Sequence, residues 1–73
     1  MKTKYYSFEE TIFYAVNGKT LSVSINEKKP FIRTYISDVI GDDIRYYKII
    51  SEKEFEKAYK KCLLLIELLK IDL

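Results

Sequence analysis

The sequence predicts a small α+β domain: an antiparallel sheet of about four strands, built as two hairpins, with one C-terminal helix packed on one sheet face. Three observations carry this. Asn17-Gly18 separates two β-rich runs, and Gly41-Asp42 separates two more. After Ser51, apolar residues recur at helical spacing through Leu69. At 73 residues the chain has room for one small domain, spanning 1–73.

The first strand is predicted over 11–16 and the second over 19–26. Asn-Gly suits a type I′ turn, because both central positions need positive φ. A two-residue loop then sets the register. Tyr14 faces Leu21, Ile12 faces Val23 and Val16 faces Lys19, while Ala15, Phe13 and Thr11 oppose Thr20, Ser22 and Ser24. One face is apolar and the other small and hydroxylated, as a half-buried hairpin requires. A rival reading exists: Ser7-Phe8-Glu9-Glu10 is also a capping box, and Gly18 could end a helix begun at Phe8. The β-branched and aromatic content of 11–16 favours the hairpin. Tyr5 to Phe8 either continues the first strand or forms a separate one.

Pro30 ends a polar connector, and strands are predicted over 31–40 and 43–50. Gly41-Asp42 fits a type II′ turn. Val39 then faces Ile44, Asp38 faces Arg45, Ile36 faces Tyr47 and Thr34 faces Ile49. The helix is predicted over about 52–70. Ser51-Glu52-Lys53-Glu54 is a capping box, and Ile50 with Phe55 suits a hydrophobic staple. Glu56 and Lys60 form an i,i+4 pair.

Composition narrows the chemistry. The chain has no His and one Cys, so a Cys/His zinc site, a disulfide framework and a His-based triad are excluded within it. With two glycines, P-loop and dinucleotide-binding patterns are absent. Cys62 lies on the core stripe of the helix, with no base to activate it. Glu9 and Glu10, read on a strand, point to opposite faces and cannot share a substrate bond. Asp38, Asp42 and Asp43 cluster near a turn, but without EF-hand spacing. No cofactor, metal site or catalytic residue is expected, and the chain is not expected to be an enzyme. The N-terminus lacks the apolar run of a signal peptide, and Cys62 to Leu69 is far short of a membrane span. A lone Cys suits a reducing compartment, so the expected location is cytoplasmic.

Two surfaces are left over. On the helix, Phe55, Ala58, Tyr59, Cys62, Leu65, Ile66 and Leu69 form the face that covers the sheet. The opposite face begins with Lys57, Lys60 and Lys61 and changes to Leu64, Leu68 and Ile71. An apolar second face is covered either by the chain's own ends or by another molecule. On the sheet, Ile12, Tyr14, Leu21, Val23, Ile32, Ile36, Tyr47 and Ile49 are expected to point inward. Phe13, Phe31, Arg33, Tyr35, Tyr46 and Lys48 then point outward, and aromatics beside basic groups can stack bases and pair phosphates. The net charge of +2 is small for a polyanion ligand.

These features predict a non-enzymatic protein-interaction domain that self-associates as a homodimer or docks on another protein. The candidate contact residues are Leu64, Leu68 and Ile71. The second reading is a small nucleic-acid-binding domain using Phe31, Arg33, Tyr35, Tyr46 and Lys48. Lys, Ile, Tyr, Phe, Asn and Met make 35 of 73 residues, a bias toward AT-rich codons that suggests a bacterial, phage or mobile-element genome.

Overall fold

The computed structural model describes residues 2–41 and 44–71. Five strands precede a long helix: β1 (Lys4–Phe8), β2 (Ile12–Asn17), β3 (Lys19–Ser24), β4 (Phe31–Tyr35) and β5 (Lys48–Ile49), then α1 (Glu52–Ile71), with a 3₁₀ turn at Ile44–Tyr46. The sheet is antiparallel, in the order β4-β3-β2-β1-β5. The expected α+β class, an antiparallel sheet with one C-terminal helix against it, is what forms. Tyr5 to Phe8 belongs to a separate strand.

The expected hairpin across Asn17-Gly18 forms as β2 and β3, and a turn that the sequence did not mark precedes it. Glu9 and Glu10 both have positive φ, 51° and 59°, and the Thr11 amide donates to the Phe8 carbonyl at 3.2 Å. These two glutamates therefore make the tight β1–β2 turn and do not lie on a strand. At Asn17-Gly18 only the glycine has positive φ, so the expected type I′ turn does not form.

The register of β2 on β3 is shifted by one residue from the expected pairing. Val16 pairs Thr20, Ala15 pairs Leu21, Tyr14 pairs Ser22 and Phe13 pairs Val23. A one-residue shift turns every side chain of a strand to the other face. Phe13 and Ala15 therefore join Leu21, Val23 and Ile32 under the helix, where Phe13 was expected outward. Ile12 and Tyr14, expected inward, share the far face with Tyr6 and Val16. The shift is stabilised because that far face has its own core: Tyr6, Val16 and Ile40 are buried together, with Tyr14 and Tyr47 packed against them.

The second hairpin does not form. β4 stops at Tyr35 and pairs only with β3, while β5 pairs with β1 at the opposite edge. The expected facings of Asp38 with Arg45, Ile36 with Tyr47 and Thr34 with Ile49 are thereby lost, and Asp42 and Asp43 lie outside the described residues. The cause lies in hydrogen bonding. The Thr20 hydroxyl donates to the Ser37 carbonyl at 2.8 Å and accepts from the Val39 amide at 3.1 Å. One Asp38 carboxylate oxygen accepts from the Ile40 and Gly41 amides, each at 2.9 Å. These contacts occupy backbone groups that a strand continuing past Tyr35 needs for its ladder. Of the described residues between β4 and β5, Ile40 and Tyr47 pack on the far face instead. The sheet is thus covered by α1 on one side and by these side chains on the other.

Candidate interaction surfaces

Helix α1 starts as its sequence requires. The Glu54 amide donates to Ser51 Oγ at 3.2 Å, and the Ser51 amide donates to Glu54 Oε1 at 3.5 Å, the reciprocal bonds of a capping box. Ile50 and Phe55 are both buried beside that cap. The Phe55 ring lies 5.5 Å from that of Tyr5 on β1, and Cys62 Sγ donates to the Phe31 carbonyl of β4 at 3.3 Å. These two contacts, seven residues apart on the helix, fall on strands three positions apart in the sheet. The helix therefore runs across the strands from β1 to β4.

Phe55, Ala58 and Cys62 are buried, and Tyr59 and Ile66 pack on the same core. Leu69, expected on this face, is 44% exposed. The opposite face is open. Leu64 is 66% exposed and Leu68 58%, and the flanking Leu63 is also exposed. Lys57, Lys60, Lys61 and Glu67 are exposed around them. The side chain of Ile71 lies outside the described residues. Among the described residues, no part of the chain covers Leu64 and Leu68. The sequence pattern missed Leu63 as a surface group because it sits on a flank of the helix between the two stripes. It missed Leu69 because that residue keeps the angle of the core stripe but lies almost a turn beyond Ile66, which still packs on the core.

The aromatic and basic residues expected on one sheet face are divided. Phe31, Arg33 and Tyr35 share the far face of β4, where the Arg33 guanidinium lies 4.3 Å over the Phe31 ring. Tyr46 and Lys48 lie at the β5 edge, four strands away. Tyr46 is exposed, with Arg45 5.2 Å over its ring. Lys48 pairs Ser7. Ile40 and Tyr47 lie on the face between the two groups. Ile36 and Ile49, expected inward, are exposed, because β4 ends before Ile36 and Ile49 pairs Tyr6 at the sheet edge.

Chemically reactive groups are few. Cys62 is fully buried, and burial pushes its thiol pKa up, outweighing the lowering by backbone hydrogen bonds near Ser24 and Phe31. A raised thiol is a poor nucleophile at neutral pH. Burial, then the neighbouring phenols of Tyr47 and Tyr35, push the Tyr14 hydroxyl up from its ordinary value. Asp38 spends its carboxylate on the turn described above. Among the described residues, no three His, Cys, Asp or Glu side chains group to hold a metal ion, and no helix is long and apolar enough to cross a membrane. An open groove of about 730 Å³ runs beside the hairpin tip between Ala15, Leu21, Thr34 and Ile36, with Lys19 as its charged lining residue. It holds no acid–base pair. Comparison with protein-family models, with curated protein sequences and with solved structures gave no match.

Proposed function

We propose that this chain is a non-enzymatic protein-interaction domain whose contact surface is the outer face of α1, and that its simplest partner is a second copy of itself. The observation that carries the proposal is the exposure of Leu64 and Leu68 on a helix whose other face is already buried against the sheet. Burying such a leucine is worth about 1.5–3 kcal/mol, and a two-fold contact uses each one twice. That offsets the several kcal/mol that association costs and gives a weak to moderate dimer. Lys57, Lys60 and Lys61 lie on the preceding turns, where their stems can extend the apolar contact while their charges stay in water.

The buried, reduced Cys62 fits a reducing compartment such as the cytoplasm. Nucleic acid binding has less support. The aromatic and basic residues are split between opposite sheet edges, and affinity for nucleic acid grows with the number of phosphate contacts a surface makes together.

The test is oligomeric state. Light scattering with size-exclusion chromatography at rising concentration is expected to show a dimer. Leu64→Lys combined with Leu68→Glu is expected to give a monomer of unchanged helicity. If that variant unfolds, or if the wild-type chain stays monomeric at millimolar concentration, the proposal is wrong.

A further inference from the structure

We infer that the outer face of α1 pairs with the same face of a second copy, antiparallel, about a two-fold axis beside Leu64. The inference rests on the self-association proposed above and deepens it by fixing the orientation.

Charge along the face decides the orientation. Its first half carries Lys57, Lys60 and Lys61, and its second half carries Leu64, Glu67 and Leu68, all exposed. A parallel pair would set three lysines against the same three lysines, and like charges facing across an interface are costly. An antiparallel pair sets the lysines against the half that carries Glu67.

Helix geometry then selects the contacts. At 3.6 residues per turn, Lys60 and Glu67 lie about 40° and 60° to one side of Leu64, and Lys61 and Leu68 lie about 60° and 40° to the other. A two-fold axis beside Leu64 places residues three or four before it level with residues three or four after it on the second copy. It also keeps each flank facing its own kind. Lys60 therefore meets Glu67 of the second copy, and the stem of Lys61 lies along Leu68 of the second copy. Each contact occurs twice. The sheet does not obstruct this packing, because Phe55, Ala58 and Cys62 hold it on the far side of the helix. The assembly has four layers: sheet, helix, helix, sheet.

The test combines charge reversal with cross-linking, on the full chain. By sedimentation equilibrium, Glu67→Lys and Lys60→Glu are each expected to weaken the dimer on the order of tenfold, since each reversal replaces two attractive pairs by two repulsive ones. The double variant is expected to recover wild-type affinity. Lys57→Cys probes orientation directly. In the antiparallel pair the two introduced thiols are about 20 Å apart, beyond the reach of a disulfide, whereas a parallel pair brings them together. The buried Cys62 does not compete. A Lys57→Cys dimer that cross-links, or a double reversal that binds no better than the single ones, overturns the antiparallel pairing. Loss of the dimer in the Leu64→Lys, Leu68→Glu variant distinguishes that outcome from failure of the interface itself.

Discussion

Two adjacent glutamates hold the first turn at a backbone cost. An L-residue in the left-handed region is disfavoured by about 1 kcal/mol or more, and Glu9 and Glu10 both sit there. Both side chains are exposed, so neither is held by packing. Glu10→Gly is therefore expected to stabilise the fold by about 0.5–1 kcal/mol, less than the full relief because glycine loses more entropy on folding. Gly18→Ala is expected to do the reverse. Gly18 has φ of 70° with no atom within 4 Å of the added methyl position, so its loss of about 1 kcal/mol is purely conformational. Urea denaturation of the two variants checks both signs. A Glu10→Gly variant no more stable than wild type would show that the strain is relieved elsewhere.

The segment between β4 and β5 depends on one hydroxyl. Thr20 is almost fully buried, and its side chain holds both Ser37 and Val39. Thr20→Val keeps the shape and removes both bonds, at a cost of about 1–3 kcal/mol. Hydrogen exchange is expected to quicken at the Val39 amide while the amides that pair β2 with β3 stay protected. Equal loss of protection throughout would mean that the segment and the sheet open together. The same segment explains what was legible in the sequence and what was not. The helix was readable in its cap, its core stripe and its apolar outer face, because a 3.6-residue period and a capping box are local signals. The strands β2, β3 and the start of β4 were readable for the same reason, whereas the strand expected over 43–50 is reduced to Lys48–Ile49 after a 3₁₀ turn. The split of β3 into Leu21 and Val23 on one side and Thr20, Ser22 and Ser24 on the other was readable too. Partnership was readable only in part. Asn17-Gly18 does join β2 to β3 as an antiparallel hairpin, one residue out of the expected register, whereas a glutamate pair makes the β1–β2 turn and the second hairpin yields to contacts 17 and 19 residues apart in sequence. The divided aromatic and basic group follows from that error, whereas Leu64 and Leu68 depended only on helical period and lie where the sequence placed them.

A domain of this size has little stability to spare, so an apolar helix face that pairs with a second copy also adds to the stability of a chain that already folds alone. Folded chains of 60 to 70 residues bury only about 60% of their unfolded surface. Exposed leucines do nothing for the monomer, but in the dimer they count toward folding, because a species that binds only the native state raises apparent stability by mass action. A tenfold rise in chain concentration is worth about 1.4 kcal/mol per dimer, or about half that per chain. For a domain of 60–100 residues, where 1 kcal/mol moves the midpoint by about 4–8 °C, the melting temperature is expected to climb by about 3–5 °C per decade of concentration once the dimer dominates. The Leu64→Lys, Leu68→Glu variant is expected to melt at one temperature across the same range, close to the dilute limit of the wild type. Calorimetry or circular dichroism melts from about 5 to 500 μM separate the cases, two decades being enough for a shift of about 6–10 °C. A wild-type midpoint that does not move over that range would show that folding and association are uncoupled, and Leu64 and Leu68 would then lie outside any self-contact.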